Sequence, residues 1–444
     1  MKRKVITIVL SIILLLIPIN SSNTVIAITK TTYEELAQHW SPVLRHAVDI
    51  TRPESDSIAK FNYDGDWIGN NNWNNRDSFP MEAYVYYGVQ ETTTHYFITY
   101  GFFHPRDDSS LSIDRHENDF EGILSVIKKD ETLYGTMVAM ESQAHGQQYQ
   151  YKVAGSEVEN GHENIDGTLI FNVSNPEVFI EAGGHGAYAW KGDSAPGGNG
   201  IVYKYTGIAD VPSNMSGNYQ NQYGYNLVKI DEIWDRREDV GGSGHTFQSF
   251  GRFDGDDFKA DSANSPWNWD DSDDGANFNG MIISDPAYYI DQHLNGLDNF
   301  SHTYIDNQYY THKITIEAVT PLVKSEGIGM GNPDLYLDII IAGEKYVDPW
   351  VWKKNECAVN SFNKVRWGFD NSQEYGQFSE EFNTIYVAKP MNSLVEIKLW
   401  DSDSTASDFM GSINVIPKSS EIITLSNATT SNGQGKITAT IQAK

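Results

Sequence analysis

Short runs of aromatic and β-branched residues, cut apart by Gly, Asn and Asp, recur along most of this chain. Tyr84–Val89, His95–Phe103, Gly122–Ile127, Leu133–Met140 and Thr168–Val173 are each short and bounded by turn residues. Such spacing predicts an antiparallel β-sandwich and argues against alternating β and α units. Only two helices stand out. Thr32 with Glu35 forms a capping-box pattern that opens a helix through Ala37 and His39. Asp285-Pro286 starts a second, ending near Asn295-Gly296. The chain reads as mainly β with a few short helices.

From about residue 310 the texture changes. Lys313–Val319, Asp334–Ala342, Leu394–Trp400 and Lys436–Gln442 form a second, cleaner set of strands. This places a first β-sandwich domain at 28–310 and a smaller one at 311–444. The start of the chain reads differently again. Lys2, Arg3 and Lys4 precede the uncharged run Val5–Ile19, which is shorter than the ~20 residues a membrane span needs. Val25-Ile26-Ala27 then offers small residues suited to a signal peptidase, so 1–27 is read as a secretory signal. The single cysteine, Cys357, excludes an intramolecular disulfide and any multi-thiolate zinc site. An exported chain without bridges fits a bacterium better than a eukaryote.

Charge narrows the partners. With 32 basic and 60 acidic residues, the net charge of -28 argues against binding nucleic acid, whose phosphates need a basic surface. Docking on anionic lipid would need a bound cation to invert the local charge. No protein partner is implied.

One segment concentrates ligand chemistry. His116, Asp119 and Glu121 form an H-x-x-D-x-E pattern just before an apolar strand. Asp119 and Glu121, two apart, project from one face of an extended chain, with His116 in the turn leading in. Asp107 or Asp108 upstream could add an oxygen. One nitrogen among carboxylates suits Ca²⁺, Mg²⁺ or Mn²⁺ better than structural zinc. A solvated acidic turn is the plainer alternative.

The same segment resembles the necrosis- and ethylene-inducing-peptide-like proteins, whose hallmark is G-H-R-H-D-W-E after an aromatic strand and an F-P-K-D-like turn. Phe103-His104-Pro105-Arg106-Asp107 matches the turn and His116-Glu117-Asn118-Asp119-Phe120-Glu121 the hallmark. The resemblance implies a divalent metal held by Asp107 (Asp108 if the loop has one extra residue), His116, Asp119 and Glu121. It extends to Ser142-Gln143-Ala144-His145-Gly146, similar to a family S-x-H-G segment. It also touches a vacuolar-sorting family with an H-x-G-D-W-E motif, whose opening Leu36–Leu44 resembles. Arg115, Asn118 and Phe120 depart from the hallmark's Gly, second His and Trp. The implied metal set is intact while the rest of the heptapeptide is not.

His145 and His185 each sit beside glycines, which favours imidazoles turned into a cleft. Either could be a ligand or a base if they converge with His116; a hydrogen-bonded turn histidine is the alternative. Residues 254–275 hold eight Asp in 22 positions, costly unless solvated or neutralised by a cation. Asp270, Ser272, Asp274 and Gly275 mimic the start of an EF-hand loop, but Met281 stands where a bidentate Glu is required. Trp267 and Trp269 read as buried aromatic residues before sugar platforms.

In the second domain, Asn332-Pro333-Asp334-Leu335-Tyr336-Leu337 and the later Asp401, Asp403, Asp408 and Gly411 resemble the two loops of C2 domains. The resemblance implies an antiparallel sandwich binding Ca²⁺ through Asp334, Asp401, Asp403 and Asp408. The loop before Asp334 offers Glu326 but no Asp. No G-x-S-x-G, H-E-x-x-H, P-loop or dinucleotide fingerprint occurs.

These readings combine into a secreted, divalent-cation-dependent protein that binds membranes or surface glycolipids, cytolysin-like in character. The competing class is a secreted metal-dependent hydrolase of phosphoesters or glycosides using His116, His145 or His185 as base. An adhesive module without a lytic step is the third. Secreted protein should begin near Ile28, as intact-mass measurement of culture supernatant would show; a species retaining Met1 would overturn the signal assignment.

Overall fold

The computed structural model describes residues 31–110, 115–256, 263–272, 278–324, 331–347, 352–367, 381–403 and 407–444. The proposed signal, Asp274 with Gly275, and Glu326 lie outside these residues. The fold is mainly β with few short helices, as the strand pattern predicts.

Helix α1 (Tyr33–His39) is opened by the capping box: Glu35 N donates to Thr32 Oγ1 at 3.2 Å and Thr32 N to Glu35 Oε2 at 2.8 Å. Strands β1 (Val43–Ala47), β2 (Tyr84–Thr92), β3 (His95–Asp107), β4 (His116–Lys128), β5 (Thr136–Ala144) and β6 (Gln147–Lys152) follow. β2 to β6 form a continuous antiparallel meander. It belongs to a 13-stranded sheet continued past β2 by Asn218–Lys229, Gly200–Tyr205, β1, Asn175–Ile180 and Ala187–Ala189. Parallel pairings occur where β2 meets Asn218–Lys229 and where β1 meets Asn175–Ile180. Local alternation along a strand does not reveal such long-range pairings.

The sheet curls until Ala187–Ala189 at one edge approaches β5. Its inner face buries Ile98, Tyr100, Phe102, Ile123, Tyr203 and Tyr225 together with Leu36 of α1. Phe97, Phe103, Phe120 and Leu124 point the other way into a second core. Both faces of β3 and β4 are thus covered, which is why these strands read as nearly unbroken apolar runs. Burial of each large side chain contributes about 1.5–3 kcal/mol.

The second core runs on into the C-terminal region, where two five-stranded sheets face each other. One contains His312–Pro321 and Gly435–Ala443; the other contains Leu335–Ile341, Val395–Asp401 and Asp408–Val415. The helix Pro286–His293 lies at the junction. Its N-cap Asp285 accepts from Tyr288 N, from Tyr386 N at 3.0 Å and from Tyr304 Oη at 2.8 Å. His302 stacks on Phe382 at 3.8 Å between ring centres. Trp267 and Trp269 are buried here, so neither is a sugar platform.

Asp285 therefore joins a helix cap, a strand of the second region and a buried hydroxyl. Asp285→Ala should lower unfolding stability by about 3 kcal/mol, because three buried donors lose their acceptor. Urea denaturation checks this; a loss under half that size would assign the junction to apolar packing alone.

Candidate metal centre

The H-x-x-D-x-E segment lies inside β4, which begins at His116 itself and not after it. Its partner strand β3 sets Asp107 opposite His116, His104 opposite Asp119 and Phe102 opposite Glu121. In a regular strand His116 and Asp119, three apart, would face opposite sides. Asn118 removes that conflict. It adopts φ 56°, a left-handed conformation that Asn tolerates, opposite Pro105, which has no N–H to give the ladder. Asn118 O is thereby turned to accept from His116 Nδ1 at 2.7 Å. That bond leaves His116 Nε2 with the lone pair, 3.6 Å from Asp107 Oδ2. Donor atoms of Asp107, His116 and Asp119 all fall within 4.8 Å of one another.

The Asn118 amide is used as well. Nδ2 donates to Gly69 O and Asp254 O at 2.7 Å each, and Oδ1 accepts from Asn72 at 2.7 Å. The residue standing in place of the hallmark's second histidine thus ties the back of β4 to two neighbouring loops.

Asp108 has a different task. Its carboxylate meets Arg115 at 3.1 Å, Arg52 at 3.7 Å and Arg106 at 4.0 Å. Asp107, the last residue of β3 and therefore not in a turn as expected, joins His116 and Asp119, and Asp108 is the centre of an arginine cluster. Arg115, where the hallmark has Gly, serves that cluster.

Glu121 is buried and lines a cavity of about 240 Å³ with His116, Asp119, Gln143, His145 and Asp270. It stands outside the tight trio and accepts from His145 N at 3.0 Å. His145 takes φ 55° and its ring packs into a space left by Gly184 and Gly186; a Cβ on either would come within 3 Å of the imidazole. His145 Nε2 lies 2.5 Å from Glu181 Oε1.

His185 also has a left-handed backbone and is fully buried. Its Nδ1 donates to Asp119 Oδ2 at 2.8 Å and its Nε2 lies 3.3 Å from Asp56 Oδ1. Behind it His104 stacks ring on ring at 3.7 Å, and His104 Nε2 meets His46 Nε2 at 2.9 Å. The curl of the sheet therefore brings His116, His145 and His185 to one place, His185 from beneath. Asp56, His46 and His104 were not singled out by the sequence. His104 could have been, since it lies in the matched turn; Asp56 carries no local signal.

The charges explain one another. Burial, with the Asp119 charge, raises Asp107 to about 6 and Glu121 to about 8. Burial pulls His185 down, but its hydrogen bonds to Asp119 and Asp56 outweigh this and raise it to about 10. The Glu181 hydrogen bond raises His145 to about 9. Burial lowers His46 to about 4 and holds His104 well below the ordinary histidine range, so both are neutral near pH 7. Two carboxylates and one imidazole nitrogen fit a hard or borderline divalent cation.

In the C-terminal region Asp334 N donates to Asp401 Oδ1 at 2.5 Å, and Asp401 pairs across the sheet with Asp408. Burial raises the Asp401 pKa against the Asp334 hydrogen bond, with the charges of Asp403, Asp334 and Asp408 adding to it. All four acids thus share one field, more openly spaced than the Asp107 trio. Glu356, not foreseen, joins them: its N donates to Asp334 Oδ1 at 2.7 Å and its carboxylate accepts from Asn332 N. Cys357 is buried and its thiol pushed up to about 11, which suits no nucleophile.

No family model matches this chain, and no curated protein matches it. Solved structures similar to parts of it include the two kinds that the sequence resembles. Necrosis and Ethylene inducing Protein 2 from the causal agent of cocoa's Witches Broom disease is 14% identical, with TM-score 0.25, over 47% of this chain and 83% of that one. A C2 domain is 14% identical, with TM-score 0.21, over 30% of this chain and 96% of its own. The calcium-bound tandem C2 domains of Extended-Synaptotagmin 2 are 18% identical, with TM-score 0.20, over 30% of this chain and 45% of theirs.

Protons would compete with any cation held at the cavity. Glu121, His145 and His185 all hold protons more tightly folded than unfolded, so each contributes stability that is lost as pH rises. Below the ordinary histidine range, His46 and His104 work the other way. Chelated protein should therefore lose stability steadily between about pH 6.5 and 9, and an added divalent cation should flatten that decline. Melting temperatures across this window check it; identical slopes with and without cation would contradict it.

Proposed function

We propose that this protein is secreted and binds a membrane lipid or glycolipid surface through divalent cations, with a cytolysin-like character. One observation carries the reading. Asp401 faces Asp334, Asp403 and Asp408 where strands of the C-terminal sheets end, and exposed aromatic side chains stand at that same end. Phe409 follows Asp408 directly, and Phe362 lies in the connection that ends opposite Val319. Carboxylates of one sign in a shared field repel anionic phosphate and each other. Calcium removes two negative charges per ion and offers open coordination positions to lipid oxygens. Exposed Phe beside such a loop gives the contact an apolar part.

At the cavity, Asp107, His116 and Asp119 would hold a Ca²⁺, Mg²⁺ or Mn²⁺ ion with Glu121 beside them. His185 orients Asp119 from below. The hydrolase reading is less favoured for two of its three candidate bases, because their glutamate and aspartate partners raise His145 to about 9 and His185 to about 10 and favour the protonated ring; only His116 is left to it.

Liposome binding should require calcium, weaken with chelator and fail in Asp401→Asn/Asp403→Asn. The double variant should stay folded, since it removes repulsion and no apolar core side chain. Asp119→Ala should abolish cation binding at the cavity while leaving the calcium dependence of liposome binding intact. Co-sedimentation and metal analysis read the two separately. Undiminished liposome binding by the double variant in calcium would reduce the C-terminal region to a spacer.

A further inference from the structure

We propose a second divalent cation site, separate from the Asp107–His116–Asp119 group, between the β5–β6 hairpin, the 161–163 turn, the acidic segment at Asp271 and the helix Pro286–His293. Donor atoms of Glu163, Asp271 and His293 lie within 4.8 Å of one another, and all three residues are buried. Each comes from a different part of the chain, held in place by backbone bonds. Glu163 N donates to His293 O at 3.2 Å, which fixes the turn to the helix end. Gln148 N donates to Asp271 Oδ1 at 3.2 Å, and Ser272 N to Gly146 O at 3.0 Å, which fix the acidic segment to the hairpin.

The histidine is oriented for ligation. Its Nδ1 meets Glu141 Oε1 at 3.1 Å, and Glu141 is fully buried in β5. A carboxylate accepting a hydrogen bond from Nδ1–H leaves the lone pair of a neutral ring on Nε2, the arrangement that steers a ligating imidazole.

A further side chain, independent of this cluster, is placed beside it by the strand register. Gln150 in β6 pairs with Glu141 across the hairpin and so lies beside it on the same face of the sheet. Gln148, two residues back on that face, accepts from Tyr289 Oη, and the Tyr289 ring sits 4.1 Å from His293. Gln150 is 1% exposed, and its Nε2 is buried without a hydrogen-bond partner. Rotating the amide exchanges nitrogen for oxygen at no cost in shape and presents a neutral oxygen there. Three buried carboxylates, one steered imidazole and an uncommitted amide together define the chemistry. A nitrogen and two first carboxylates, in a dry setting, favour Mn²⁺ or Zn²⁺ over the all-oxygen preference of Ca²⁺.

The site has a consequence for the cavity. Asn264, Trp269 and Asp270 form one wall of it, and Gln143 Nε2 reaches Asp270 O at 3.3 Å. Asp271 is the next residue. A cation held at Asp271 clamps that wall to the β5–β6 hairpin and the helix.

The test uses the mature chain carrying Asp119→Asn, Asp401→Asn and Asp403→Asn, which weakens both other acidic groups as cation sites. After purification with Mn²⁺ or Zn²⁺ and desalting, one equivalent of metal should remain by mass spectrometry. Adding Glu163→Gln/Asp271→Asn should remove it. Chelation of the first protein should lower its melting temperature by about 5 °C or more, reversed by Mn²⁺ or Zn²⁺ and not by Mg²⁺. Metal content unaffected by the added pair, or a melting temperature indifferent to chelator, overturns the site. The chelation arm needs no change in the cluster itself, and Glu163→Gln alone, which should also lose the metal, serves where the added pair fails to fold.

Discussion

Asp119 carries its charge into the interior because His185 meets it there at 2.8 Å, with Asp56 at 3.3 Å from the other ring nitrogen. These three residues come from a short 3₁₀ turn, the middle of the sheet and a turn at its edge. Their bonds close the curl of the sheet across its inner face. Removing one partner of such a buried set typically costs about 3–5 kcal/mol, because the others are left charged and dry. The neutral His104 ring stacked on His185, backed by His46, fills the remaining space without adding charge. Everything in front of this chain follows from it. Asp119 is held toward His116, Gly184 is placed against His145, and the cavity has a floor.

The net charge of -28 looks different once located. Carboxylates are gathered into the cavity, the group beneath the β5–β6 hairpin and the far end of the C-terminal sheets. Arginines are spent elsewhere, notably on Asp108, which Arg52, Arg106 and Arg115 surround. Where no guanidinium stands by, burial and the neighbouring Asp119 charge raise the pKa of Asp107 and Glu121, so that each gives up its proton less readily. A divalent cation replaces those protons with a charge that does not vary with pH.

How much of this the sequence discloses differs by element. Most strand runs, both helices with their caps and the buried tryptophans are legible because each depends on residues near in the chain; Thr168–Val173 is the exception, holding only the end of Ile165–Thr168 and the short strand Phe171–Asn172. The two-residue spacing rightly puts Asp119 and Glu121 on one side of β4. It misplaces His116 in a turn, because the reversal of facing comes from the backbone of Asn118, which a strand pattern treats as one more polar position. That asparagine first registers only as a departure from the heptapeptide. The meeting of His145 and His185 with His116 is invisible locally, since it needs the sheet to curl through parallel pairings. The Glu141–Glu163–Asp271–His293 group is hidden for the same reason, its members lying far apart along the chain.

The two regions are also arranged so that their charged ends do not interfere. Tyr386 meets Asp285 and Tyr346 receives Tyr288, so the junction lies where His312–Pro321 begins and Leu335–Ile341 ends. Pro321, Leu335 and Asp401 stand at the opposite end of the same sheets. A ten-residue strand rises about 30 Å, several times the ~8 Å over which salt screens charge at physiological strength. A cation held at Asp334, Asp401, Asp403 and Asp408 would therefore change the charge of the far end with little effect on exposed groups around the cavity. Any influence of one end on the other has to pass through packing at the junction, where Asp285 and the His302–Phe382 stack are the rigid links.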